Sequence, residues 1–140
     1  MGVFVDTSVW SLDLRRDGSR SAPEVAALRR ALERNEPLYL TGLVLQELLQ
    51  GFAGPRDRDQ ILDRLSALPL LAPDRRDHID AADLRNQCRR AGVQIGTIDA
   101  LIAQLCIRHD LTLLSADQDF LHMERMTKLR VWESPARSRR

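Results

Sequence analysis

Short apolar runs of strand length alternate along this chain with stretches of helical periodicity, and that alternation limits the fold more than any other feature. Val3–Val5 reads as a buried strand, with Thr7 or Ser8 capping a short helix through Leu14. The loop LRRDGSRSAP follows, then a helix from Pro23 to about Arg34 with Val25, Leu28 and Leu32 on one face. PLYLT is a strand, GLVLQELLQGF the helix directly behind it, RDRDQILDRLSAL a further helix and PLLA a brief strand. A polar amphipathic helix spans Asp74 to Arg90 and stops at Gly92. The apolar helix TIDALIAQLCIRHD, the strand LTLLS, the helix DQDFLHMERM and the strand LRVW complete the pattern. Strands alternating with helices imply an α/β/α sandwich with a mostly parallel central sheet. Residues 1–133 are expected to form this one domain, and residues 134–140 a flexible basic C-terminal tail.

Composition narrows the function classes. A chain of 140 residues is near the common size of one domain, and it buries roughly 68% of its unfolded surface without staples. No apolar run reaches the roughly 18 residues of a membrane span, and the N-terminus lacks a basic-then-apolar secretory pattern. The expected compartment is the cytoplasm. Cys88 and Cys106 lie in separate helical patterns without a CxxC or a histidine partner, so they read as core thiols. His78, His109 and His122 fall in no site pattern and read as surface or helix-end residues. A net charge of +1 argues against binding polyanions by bulk charge. Every basic residue except Lys128 is arginine, which suits bidentate phosphate contacts, although a GC-rich genome accounts for the bias equally well.

Four acids stand at or near strand exits and helix entries, where a parallel sheet forms its ligand sites. Asp6 ends the first strand, but Asp6-Thr7-Ser8 is also ordinary turn and capping chemistry. Glu47 lies at the rim of the apolar arc formed by Leu43, Val44, Leu48 and Phe52, a place that also suits a solvated acid. Asp99 projects away from Gln104 and Arg108 on an otherwise apolar helix, where a lone carboxylate is costly without a partner or an ion. The alternative is a first-turn acid behind a Thr97 cap. Asp117 suits a plain N-cap, with Asp119 a favourable first-turn charge. Each bland reading stands alone; all four together are harder to sustain. Two carboxylates about 4 Å apart repel by about 4 kcal/mol at an effective dielectric of 20. A convergent cluster therefore needs a cation or protonation of some members. Oxygen ligands favour Mg2+ or Mn2+ over zinc.

The segments VFVDTSVW, LVLQELLQG, TIDALIAQ and LTLLSADQDF, in that order, resemble the PIN-domain ribonucleases, specifically the VapC toxins of bacterial toxin–antitoxin pairs. The likeness runs along the whole chain up to the tail. It implies a PIN fold with catalytic and metal-ligating acids at Asp6, Glu47, Asp99 and Asp117, and Asp119 as a less certain fifth. Thr7 and Ser115 match the family's small hydroxyl positions, which hold carboxylates or water in place. The resemblance further implies Mg2+- or Mn2+-dependent endoribonuclease activity, a homodimer, and inhibition by a small VapB-like antitoxin, with an apolar groove near the early helices as its dock. Arg15 and Arg16, just past the first helix, are candidate RNA contacts that a solvated helix end explains equally well. Trp10 is assigned to core or dimer packing, with base stacking as the alternative. The rival function is a non-catalytic PIN-like scaffold that binds RNA or protein with its acids idle. The first strand lacks the Asp-x-Asp of haloacid-dehalogenase-type phosphatases, and the chain has no Gly-Lys-Ser/Thr of a P-loop.

Overall fold

The computed structural model describes residues 2–15 and 21–134. The first apolar run forms β1 (Val3–Val5), followed by α1 (Thr7–Leu14) and α2 (Pro23–Glu33). Then come β2 (Leu38–Thr41), α3 (Gly42–Gly51), α4 (Pro55–Leu65) and the two-residue β3 (Leu70–Leu71). The second half contains α5 (Arg75–Arg90), α6 (Thr97–Arg108), β4 (Thr112–Leu114), α7 (Gln118–Glu124) and β5 (Arg130–Val131). The sequence pattern located every one of these elements to within a few residues.

All five strands pair in parallel, in the order β3-β2-β1-β4-β5. Val3 lies opposite both Leu38 and Thr112, and Val5 opposite Leu114, so β1 is the central strand. Its Phe4 and Val5 are fully buried, as a strand covered on both faces requires. The chain moves one way along the sheet from β1 to β3, then crosses back to β4 and β5. Right-handed crossovers then place α1 to α4 on one face and α5 to α7 on the other. The helix contacts agree: α1 packs on α2 and α3, α3 on α4, and α5 on α6. The strand order reverses between β1 and β4, which opens a crevice at their carboxyl ends.

Several local devices hold these pieces in register. α2, α5 and α6 each end on a left-handed residue, Asn35 (φ 53°), Gly92 (φ 83°) and Asp110 (φ 55°). In each case the next residue's N–H returns to a carbonyl in the last turn: Glu36 to Ala31 (3.0 Å), Val93 to Cys88 (2.8 Å) and Leu111 to Cys106 (2.8 Å). Gly92 was legible as a stop; Asn and Asp tolerate the same conformation through their short polar side chains. On α6, Ala100, Leu101, Ile102, Ala103, Leu105 and Cys106 are all buried, so this helix is apolar nearly all round. Burying a single leucine such as Leu105 contributes roughly 1.5–3 kcal/mol.

Two buried acids act as ties between helices. Asp13, 2% exposed, accepts from Arg29 of α2 (3.1 Å) and Arg64 of α4 (2.6 Å). Asp77, fully buried on α5, accepts from the Asp74 backbone at 2.9 Å while Asp74 accepts from the Asp77 backbone at 2.9 Å, a reciprocal capping box. Arg108 at the end of α6 donates to Asp77 as well. Cys88 and Cys106 are free, buried thiols, and His78, His109 and His122 are exposed, as expected. Among the described residues no helix is long and apolar enough to cross a membrane. Of the expected tail, only Ser134 is described, and it is buried.

Candidate active site

The acids gather at the crevice between β1 and β4. The Asp6 N–H donates to the Leu114 carbonyl at 3.0 Å, extending the ladder one residue past β1. That bond sets Asp6 beside Ser115, at the carboxyl edge. α1 begins at Thr7, with Asp6 in the N-cap position, so neither Thr7 nor Ser8 is the cap. The helix does not use the Asp6 side chain either: the Asp6 carbonyl receives the Val9 N–H (3.1 Å), and no helix N–H reaches the carboxylate. Instead, Ser8 Oγ donates to Asp6 Oδ2 at 2.8 Å, and Ser115 Oγ to the same oxygen at 2.9 Å. The Ala116 and Asp117 N–H groups donate in turn to Ser8 Oγ and Ser115 Oγ, both at 3.0 Å.

Asp99 enters from α6, two residues after the helix starts. The cap is Gly96 rather than Thr97, and it makes no side-chain capping bond. Asp117 is the N-cap of α7, as its position suggested; its Oδ1 accepts the Asp119 N–H at 3.0 Å. Carboxylate oxygens of Asp99, Asp117 and Asp119 all lie within 4.8 Å of one another. Glu47 approaches from α3 on the exposed side, where Thr7 Oγ1 donates to its Oε1 at 3.2 Å. Asp119, ranked least certain from the sequence, thus sits in the tightest group, while Asp6 and Glu47 flank it.

The electrostatics unite all five. Asp99 is pushed up from an ordinary 3.8 to about 6, first by burial and then by the charges of Asp6, Asp117, Asp119 and Glu47. Burial, and then Asp6, also drives the Cys106 thiol upward, which places the flank of α6 close to Asp6. Among the described residues, none of the five acids forms a salt bridge. The donors are all carboxylate oxygens, the chemistry that suits a hard divalent cation such as Mg2+. A concavity of about 840 Å³ between Leu14 and the α4 residues Arg56, Asp59, Gln60 and Asp63 is elsewhere. It is open to solvent.

Sequence reasoning missed one member of this site. Ser8 was read only as a possible cap, yet its hydroxyl joins the end of β1 to the loop after β4. Its signal was positional: the second residue of a helix turns its side chain back toward the cap. Trp10 is 2% exposed and its Nε1 has no partner, so it packs in the core and does not present a face to a base. Arg15 is exposed at the C-terminal end of α1, and Arg16 lies outside the described residues.

Comparison with known proteins places this arrangement. The PIN domain family matches residues 3–126. Ribonuclease VapC11 of Mycobacterium tuberculosis is 34% identical over 134 residues, covering 92% of this chain and 96% of that protein. Among solved structures, VapBC2 of Rickettsia felis bound to a DNA fragment from its promoter superposes with a TM-score of 0.71 at 20% identity, over 95% of this chain and 100% of that one. VapBC-5 of M. tuberculosis, from the VapBC family of toxin–antitoxin systems, gives 0.65 at 19% identity, over 93% and 96%. The family match over most of the chain and the identity to a full-length relative agree with the sheet order: this chain belongs to the PIN-domain family, in its VapC branch.

Proposed function

We propose that the protein is a Mg2+- or Mn2+-dependent endoribonuclease acting as the toxin of a type II toxin–antitoxin pair. The observation that carries this reading is the convergence of five acids with no basic partner among the described residues, one of them, Asp99, pushed up to about 6 by burial and then by the charges of the other four. Asp6, Asp99, Asp117 and Asp119 would hold the ion, with Glu47 at its open side. When bound, the ion supplies Lewis acidity and positive charge beside the scissile phosphate. Ser8 and Ser115 orient Asp6, Thr7 orients Glu47, and the Asp119 N–H fixes the Asp117 rotamer. The acid edge repels RNA by itself, so cations further along must hold the backbone. Arg15 lies one short helix away, about 12 Å along the axis at 1.5 Å per residue, a reach of roughly two nucleotides. Arg16 would extend that contact.

The relatives named for ribonuclease activity and for toxin–antitoxin systems support an RNA substrate and a VapB-like antitoxin. An apolar concavity of about 190 Å³ beside α2, lined by Ala27, Ala31, Leu114 and Trp132 together with Arg30, Arg34 and Glu36, suits an apolar antitoxin segment. A second concavity of about 230 Å³, with Leu43, Ala81 and Leu101 in it and the half-exposed Ile98 at its mouth, suits the homodimer. The setting is the cytoplasm, where such RNA is made. Purified protein should cut total cellular RNA into discrete bands with Mn2+ or Mg2+ and not with EDTA, and Asp99→Asn should be inert. Equal cutting by Asp99→Asn would overturn the reading. A fold whose melting ignores Mn2+ and which cuts nothing would favour the scaffold instead.

A further inference from the structure

We propose that Ser8 is a positioning residue whose hydroxyl, together with that of Ser115, turns Asp6 so that a single oxygen, Oδ1, faces the ion. The inference rests on the metal reading above and goes beyond it by naming which oxygen serves and what selects it.

A serine hydroxyl carries one proton and two lone pairs. Ser8 Oγ already accepts the Ala116 N–H, and Ser115 Oγ the Asp117 N–H. Each proton then has two possible acceptors, Asp6 Oδ2 or the other hydroxyl. The carboxylate oxygen is 2.8 and 2.9 Å away; the hydroxyls are 3.3 Å apart. An ionised oxygen at the shorter distance is the stronger acceptor, so both protons point at Oδ2. A carboxylate oxygen has two in-plane lone pairs, and both are then occupied. Oδ1 receives neither hydroxyl and is the oxygen left for a cation. The direction of the network is set by two backbone N–H groups of the loop after β4, relayed through two hydroxyls onto the last residue of β1.

Ser8 is the member of this relay that the fold can lose most easily. The group it would leave unpaired, the Ala116 N–H, belongs to an exposed residue and can turn to water. Ser115 is different, being buried at the end of β4. Removing the Ser8 hydroxyl therefore opens one direction on Oδ2 and frees the carboxylate to rotate while the sheet stays intact.

The test uses the full chain and reads ion binding directly. Mn2+ affinity is measured by the electron paramagnetic resonance of the free ion for wild type, Ser8→Ala, Ser8→Thr and Asp99→Asn, each melted in EDTA as a fold control. Ser8→Ala should melt like wild type, bind Mn2+ roughly tenfold more weakly, and lower kcat for RNA while leaving KM unchanged. Ser8→Thr, which keeps the hydroxyl, should restore affinity. If Ser8→Ala does not fold, Ser8→Cys, a weak donor of similar size, must show the same weakening. Wild-type affinity in Ser8→Ala (or in Ser8→Cys where it stands in), or failure of Thr to restore it, overturns the proposal. Asp99→Asn separates the layers. Wild-type binding there overturns the metal reading and this inference with it; loss there, beside an unaffected Ser8→Ala, overturns this inference alone.

Discussion

Two sets of aspartates in this chain, most of them at or near helix starts, behave oppositely. Asp13, Asp74 and Asp77 are met by arginines from other helices, Arg29 and Arg64 in one case and Arg108 in the other. Asp6, Asp99, Asp117 and Asp119 converge on one another, with no arginine partner among the described residues. Asp74 and Asp6 make the contrast sharpest, since each precedes the first residue of a helix. Asp74 accepts a helix N–H and caps its helix; the Asp6 carboxylate is held off by two serines. A neutralised acid is a tie between helices, and an acid without an arginine partner is available for a ligand, even where, as at Asp117, it also accepts a helix N–H. Partner, not residue type or local motif, separates the two classes.

The largest expected effect comes from breaking the unpaired set. If an ion there contributes several kcal/mol to the transition state, Asp99→Asn should lower the cleavage rate roughly a thousandfold at saturating Mn2+, read by gel on a defined RNA. The paired set should answer in stability instead. Asp13→Ala removes a buried acceptor of charged hydrogen bonds but leaves two half-exposed arginines that water can serve, so the cost should be about 2 kcal/mol in chemical denaturation. Its Mn2+-induced shift in Tm should persist; loss of that shift would blur the division.

A pH series sharpens the comparison further. Asp99 titrates near 6 in the folded protein against an ordinary 3.8, so between those values the native state holds a proton that the unfolded chain has released. In EDTA, stability should therefore fall as pH rises from about 4 to about 6, by on the order of 1 kcal/mol for this half-buried group once solvent screening is allowed for. Asp99→Asn should flatten that stretch of the curve, and Mn2+ should reverse it. The smallest effect belongs to a cap with no part in the cluster. Thr41 accepts the Val44 N–H at 3.3 Å at the start of α3, so Thr41→Val should cost about 0.5–1 kcal/mol and leave ion binding unaltered.

The fold was legible because its signals are local. Val3–Val5, the apolar helix around Leu105 and the stop at Gly92 announce themselves by composition and period, and strand–helix alternation leaves few sheets to choose from. The acids were legible one at a time as residues at strand exits, and their convergence followed from the parallel sheet. What stayed hidden was partnership across sequence distance. Nothing near Asp77 announces Arg108, and nothing near Asp13 announces Arg64. Ser8 looked like a cap because caps are made of serine; its real partners are Asp6 and the Ala116 N–H beyond β4. Asp119 looked secondary because the Asp117 cap already explained its neighbourhood, yet its carboxylate lies within 4.8 Å of those of Asp99 and Asp117.

The hydrogen bond from Ser115 to Asp6 joins residues 109 positions apart. During translation, at about 5–20 residues per second, the N-terminal acid waits roughly 5–20 s before its companions from β4 and α7 exist. Glu47 and Asp99 are made in that interval, but the hydroxyl of Ser115 and the carboxylates of Asp117 and Asp119 are not yet there. The acid edge closes only after Asp119 has been made, so a fragment from an interrupted message or a stalled ribosome that stops short of it lacks the assembled edge. The same topology that gathers the acids in space thus delays their meeting in time.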